Sequence, residues 1–305
     1  PFLMTPILGI MASQISGHLG PSILGTTWTA GGTLPSPMPN GAISTYGNNI
    51  FVMAQATNNT VATSTNGVTW TARTAVSTTN YMDYANGIFM GTGYAVAPQK
   101  STDGISWSAV TDDGITNAVG ICYGVGAWVT IEYGTTANGA ATSTNNGTSW
   151  TLRTISHAIY NVAGNSSIVV GVSVDNSGTT SYTTNLSTWT TGTLPANVVW
   201  RGISYGNNLF VTVSQTSGTN AASSTDGISW TSRTLPASQV WYGIEWLGAN
   251  WIAVGSGTTA ATSTDAITWT SRTIGSGDHY FVASNGSDRA VVGTDASTAT
   301  QYSTS

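Results

Sequence analysis

The chain predicts an all-β fold, a seven-bladed β-propeller of four-stranded antiparallel blades, and three observations predict it. A tryptophan recurs at Trp28, Trp70, Trp107, Trp150, Trp189, Trp230 and Trp269, at intervals of 37 to 43 residues. A similar phrase precedes most copies: Ser64-Thr65-Asn66-Gly67-Val68-Thr69-Trp70 returns as Ser101-Thr102-Asp103-Gly104-Ile105-Ser106-Trp107 and as Ser224-Thr225-Asp226-Gly227-Ile228-Ser229-Trp230. Between copies the pattern is of short strands and turns, with no helical period beyond a weak one in the first 20 residues. A period of roughly 40 residues marks one supersecondary unit per copy, stacked so that neighbours bury a shared core.

The copy from Val199 to Leu235 shows the elements in order. Val199–Tyr205 alternates as a strand, Gly206-Asn207-Asn208 is a hairpin signal, and Leu209–Val213 is a second, more buried strand. A polar loop follows over Gln215–Asn220. Ala221–Ser224 makes a third strand, Asp226-Gly227 a tight turn, and Trp230–Leu235 a fourth. Six complete intervals give six blades. After Trp269 the chain supplies three more strands, at His279–Ser284, Arg289–Thr294 and Thr298–Ser305, and ends before another tryptophan strand. The missing strand is at the other end, Thr26–Ala30 around Trp28. The last blade is therefore expected to close with one N-terminal and three C-terminal strands, which removes a free sheet edge. The expected organisation is an arm over 1–24 and a propeller over 25–305.

Composition narrows the function classes. Charged residues make up 6% of the chain, against roughly 25% in ordinary soluble domains. Ser, Thr, Gly and Asn form the surface instead, which suits a particle component or a secreted protein facing sugars. Net charge is −5, with one Lys and six Arg, and the clustered cations that bind phosphate backbones are missing, so no nucleic-acid partner is expected. Cys122 is the single cysteine; it permits no intrachain disulfide or Cys-rich metal site and reads as a buried thiol on a strand. No apolar run approaches the roughly 20 residues of a membrane-spanning helix, and no membrane insertion is expected. The apolar Pro1–Leu24 stretch lacks a basic start and is interrupted by Thr5-Pro6, so it does not read as a secretion signal.

The repeated phrase resembles the Asp-box of sialidase-like (BNR-type) propellers, Ser-x-Asp-x-Gly-x-Thr-Trp, a turn between the third and fourth strands of a blade. Ser143–Trp150 fits its length, with Asn145 in the Asp position, and the other copies are one residue shorter. The structural turns expected are those at Asn66, Asp103, Asn145, Asn185, Asp226 and Asp265, with Leu186 and Ala266 replacing the glycine in two copies. The side-chain oxygen accepts backbone N–H groups, the glycine takes a positive φ, and the tryptophan plugs between sheets. One charge per turn is too little for calcium. A second resemblance covers Thr5–Leu19, whose wording is similar to the short leader that begins many tailed-bacteriophage structural proteins. It implies a virion component docked on other virion proteins through residues 1–20.

The sialidase likeness raises the question of catalysis. That family holds its substrate carboxylate with three arginines and uses a Tyr nucleophile, a Glu partner and an Asp acid. Here Arg73, Arg153, Arg233 and Arg272 all stand three residues after a repeat tryptophan, which places them on outer strands away from the axis. Arg201 and Arg289 alone are non-periodic. Asp83 and Glu245 fall on inner strands, but in blades 2 and 6, a poor starting geometry for two facing carboxylates. His18, His157 and His279 lack metal-ligand spacing, and no paired serine nucleophile is visible. No metal, cofactor or enzymatic activity is expected.

Ligands are expected where the repeat varies, on the face formed by the loops that lead into the inner strands and those joining strands two and three. Tyr81, Tyr160, Trp200, Arg201, Trp241, Tyr242, His279 and Tyr280 fall there, and aromatic faces with polar neighbours suit sugars and apolar ligands. Packing between inner strands is the competing role for each. The second set of loops spans Tyr94–Lys100, Tyr133–Asn138 and Gln215–Asn220. The reading that results is a bacteriophage virion protein (tail, fibre or capsid decoration), made in the host cytoplasm without a signal peptide. It displays the propeller for host-surface or glycan attachment and is open to homo-oligomerisation on the particle. The alternatives are a free, secreted carbohydrate-binding lectin and a degenerate sialidase-like hydrolase.

Overall fold

The computed structural model describes residues 23–36, 43–54, 59–75, 77–134, 139–295 and 297–305. The leader over residues 1–20 lies outside the described residues, as do the last four residues of the expected Tyr133–Asn138 loop. Among the described residues every regular element is a strand, and the strands form seven four-stranded antiparallel sheets, six of them ordered inner to outer as in the sequence and the seventh completed by the N-terminal strand. Inner strands are Ile43–Gly47, Tyr81–Ala85, Ala118–Gly124, Ile159–Gly164, Trp200–Gly206, Trp241–Trp246 and Val282–Ser284, in blades 1 to 7. Second strands are the most buried, as in Ile50–Ala54, Val169–Ser173 and Trp251–Gly255, each buried throughout. They carry near-continuous apolar runs because both faces pack on neighbouring blades.

Closure is as the sequence predicts. Blade 7 takes Thr29–Thr33 as its outer strand, paired with the C-terminal strand Ala299–Thr304 through Thr29↔Tyr302, Ala30↔Gln301 and Thr33↔Ala299. The N-terminal strand begins three residues later than expected. Trp28 precedes it in a turn, where its indole N–H donates to the Gly25 carbonyl at 3.2 Å. Trp107 and Trp269 make the same bond to Gly104 and Ala266. Each repeat tryptophan packs against an apolar cluster between blades.

The turns before the outer strands share one hydrogen-bond pattern. Asp103 Oδ1 accepts the N–H groups of Ile105 and Ser106, both at 2.8 Å, while the Ser101 hydroxyl accepts the Gly104 N–H at 2.8 Å. Asn66, Asn185, Asp226 and Asp265 accept the corresponding pairs, and Asn145 accepts Ser149 one residue further on. Leu186 and Ala266 adopt φ of 63° and 57° at the position glycine holds elsewhere. On the outer strands, Arg73, Arg153, Arg233 and Arg272 each donate from Nε to a hydroxyl on the third strand, at 2.8 to 3.2 Å. Their structural role away from the axis follows from that spacing.

Two loops differ from expectation. Most of Tyr94–Lys100 is strand, because Val96–Ser101 pairs back on Ile88–Gly93 directly after Tyr94-Ala95, with Ala95 at φ 53°. In blade 5 the third strand begins at Gly218 and the outer strand runs to Gln239, joined by the pair Gly218↔Gln239 beyond a register shift.

Candidate ligand-binding site

A repeated irregularity builds the upper rim. In blades 3 to 6 the inner strand carries an extra residue at its second position, so that the register jumps across Val119, Tyr160, Arg201 and Tyr242. A β-bulge of this kind re-aims one side chain. The preceding residues Ala118, Ile159, Trp200 and Trp241 stay in the core; of the bulged ones Val119 also packs in the core, while Tyr160, Arg201 and Tyr242 come together across the blades. In three of the blades the next residue is Gly120, Gly202 or Gly243. At Gly243 a Cβ would lie 2.3 Å from the Tyr280 carbonyl oxygen of blade 7. Close approach of two backbones therefore demands glycine there.

Of the expected rim residues, five converge. The Arg201 guanidinium carbon lies 4.9, 4.8 and 4.6 Å from the ring centroids of Tyr160, Tyr242 and Tyr280. Tyr242 and Tyr280 stack at 4.4 Å, and Tyr81 meets Phe281 edge-on. Blades 2, 4, 5, 6 and 7 thus meet in one cluster. Burial, then Tyr160 alongside, pushes the Tyr81 phenol well up. Burial, then Tyr242, pushes Tyr280 up to about 12, so both stay protonated hydrogen-bond donors at neutral pH.

The other three expected rim residues are not available to a ligand. Trp200, Trp241 and His279 are completely buried. The two tryptophans stand one place before the bulge and pack between blades, with their indole N–H groups on the Ala196 carbonyl and on those of Gly218 and Ala237. Both His279 ring nitrogens lie against backbone carbonyls, Gly275 at 2.8 Å and Gly293 at 3.2 Å. The inner strand of blade 7, expected from His279, starts only at Val282. For these three, packing prevails over recognition.

Beside the cluster lies a cleft of about 480 Å³ lined by Tyr133, Tyr160, Val174, Val199, Gln215 and Thr216. Tyr133 is 45% exposed and stands edge-on to Tyr160 at 6.2 Å. Gln215 Oε1 is buried there without a hydrogen-bond partner among the described residues. A buried acceptor left open costs about 1–3 kcal/mol, which a ligand donor recovers. Tyr133 and Gln215 belong to loops singled out in the sequence, but nothing there marked them individually.

Below the cluster runs a channel of about 410 Å³. One layer of it holds Asp83 and Glu245, at equivalent inner-strand positions opposite Met90 and Ile252. Asp83 accepts the N–H groups of Tyr84 at 2.7 Å and Tyr123 at 3.2 Å, and burial still raises it above its ordinary value. Burial pushes Glu245 up to about 8, with the Asp83 charge adding to the rise and a Ser204 hydrogen bond opposing it. Although they come from blades 2 and 6, the two carboxyl groups share one channel and sense each other. Such a pair, with Glu245 protonated near neutrality, has acid–base capacity.

Fold and site together define a seven-bladed propeller with an aromatic, arginine-centred rim above an acidic channel. The solved structures it resembles are propellers of several kinds. A catalytically inactive virginiamycin B lyase from Staphylococcus aureus with quinupristin matches at TM-score 0.77 and 13% identity, over 92% of this chain and 99% of that one. YCF48 bound to D1 peptide matches at 0.71 and 15%, over 93% and 99%. The WD40 propeller domain of Doa1 matches at 0.70 and 14%, over 92% and 97%. Likeness at these identities shows the fold. No protein-family model and no curated protein sequence matches the chain. The expectation that the protein has no enzymatic activity is corrected by these likenesses. Streptogramin B lyases share the architecture beside other propellers, so the fold gives no ground for excluding catalysis.

Proposed function

We propose that the protein is a bacteriophage virion component that displays its propeller for attachment to saccharide on the host surface, bound in the Tyr133–Tyr160–Gln215 cleft. The observation that carries this reading is the cleft itself: two tyrosines at right angles beside a buried amide acceptor that is open among the described residues. A sugar ring presents C–H faces to aromatics and hydroxyls to such an acceptor. Two of the similar propellers hold ligands, a peptide in one and quinupristin in the other. The particle role rests on the resemblance of Thr5–Leu19 to phage leaders, with residues 1–20 as the docking arm. The turns at Asn66, Asp103, Asn145, Asn185, Asp226 and Asp265 fit the Asp-box reading.

A host-polysaccharide array probed with the full chain tests the proposal. Binding is expected, with losses of about tenfold for Tyr133→Ala and for Gln215→Ala, on the scale of one stacking contact or one hydrogen bond. Deleting residues 1–20 is expected to remove the protein from particles and leave array binding intact. Silence across the array, or binding indifferent to both substitutions, overturns the cleft assignment.

A further inference from the structure

We propose that the saccharide is acidic and that Arg201 holds its carboxylate; this rests on the cleft reading above. Six arginines occur in the chain, and the structure uses them differently. Four stand on outer strands, bonded to hydroxyls of the third strands, and Arg289 lies over the Tyr302 ring at 4.8 Å in blade 7. The bulge in blade 5 brings Arg201 alone to the axis. Tyrosine rings pack around its guanidinium. Among the described residues no carboxylate forms an ion pair with it and no acceptor takes its N–H groups, and the side chain is partly exposed.

A guanidinium packed among rings is oriented and weakly hydrated, and its edge remains to grip a planar anion in bidentate fashion. Tyr160 links this cation to the cleft, as it borders the cleft on one side and underlies Arg201 on the other. A pyranose seated in the cleft would present a ring substituent to Arg201. Two acidic groups face the cluster from blade 7. Asp278 accepts the Tyr242 hydroxyl at 3.3 Å, and Asp295 donates its backbone N–H to the Asp278 carbonyl. Their charge opposes a dianionic phosphate more than a single carboxylate, which favours a uronate-type sugar.

The test is calorimetric titration of the full chain with a panel of uronate oligosaccharides. Each is paired with its carboxyl-reduced, neutral counterpart, and phosphorylated oligosaccharides form a third arm. At least one uronate is expected to bind tenfold or more tighter than its reduced partner. In Arg201→Gln the ratio is expected to fall towards one, and Arg201→Lys should keep part of it, with melting temperatures reporting that both variants are folded. Equal binding within every pair, or a preference that survives Arg201→Gln, overturns the carboxylate assignment and leaves the cleft standing. A phosphorylated ligand that outcompetes every uronate also overturns it. No binding in any arm overturns both readings.

Discussion

Deleting residues 23–34 is expected to lower the melting temperature by at least about 10 °C, or to abolish cooperative unfolding. The segment closes the ring. Leu24 and Leu34 are buried to 1% and 2% exposure, and losing each core leucine costs about 2–5 kcal/mol. The Gly25 N–H donates to Ser303 Oγ at 2.8 Å, and the Asn250 amide donates to the Leu24 carbonyl at 2.9 Å. The Thr300 hydroxyl donates to the Gly32 carbonyl at 2.6 Å. Without this segment the strand Ala299–Thr304 becomes a free edge. At about 2–4 °C per kcal/mol for a chain near this size, the leucines alone account for the drop. The paired substitution Leu24→Ala with Leu34→Ala should act in the same direction, measured by scanning calorimetry. An unchanged transition would mean that the ring does not depend on this closure.

The second large effect concerns pH. Glu245 is raised from 4.5 when free to about 8 in the folded protein, so the folded state binds the extra proton between those values. Stability from this group is therefore fully present below about pH 4.5 and declines as pH rises, and the loss is complete above about pH 8. Asp83 is also raised and acts in the same direction. Glu245→Gln keeps the shape and removes the charge. It is expected to flatten the fall in stability between pH 5 and 8.5. At the upper end the variant should exceed the parent by about 2–4 kcal/mol, reckoned at about 1.4 kcal/mol per pKa unit and discounted for the part of Glu245 exposed to the channel. Near pH 5 the two proteins should differ little. Parallel stability curves for parent and variant would show that Glu245 ionises freely.

Blade number and ring closure were legible because each depends on local chemistry repeated in the chain. The tryptophan and the alternating strands recur in every blade and the Asp/Asn turn in six of the seven, and periodicity averages out the individual exceptions at Leu186 and Ala266. The rim was legible by position, not by role. Trp200 and Arg201 are neighbours, and strand alternation alone says that they face opposite ways without saying which faces the axis. The bulge decides it, and its signal was present: Trp200-Arg201-Gly202-Ile203 and Trp241-Tyr242-Gly243-Ile244 repeat a buried residue, a variable one, then glycine. That glycine is required by the backbone of the next blade, which only the assembled ring brings near. The channel pair was harder to read, because Asp83 and Glu245 lie more than 160 residues apart and meet only through closure. Gln215 was invisible as an acceptor left open among the described residues, since an unmade hydrogen bond leaves no mark in sequence.

The decisive measurement is a structure of the propeller with a saccharide selected on the array. The sugar is expected against Tyr133 and Tyr160, with a hydroxyl on Gln215 Oε1 and its acidic group towards Arg201. A sugar seated on the outer strands, or at the opposite end of the channel, would contradict the assignment of the upper rim as the binding site.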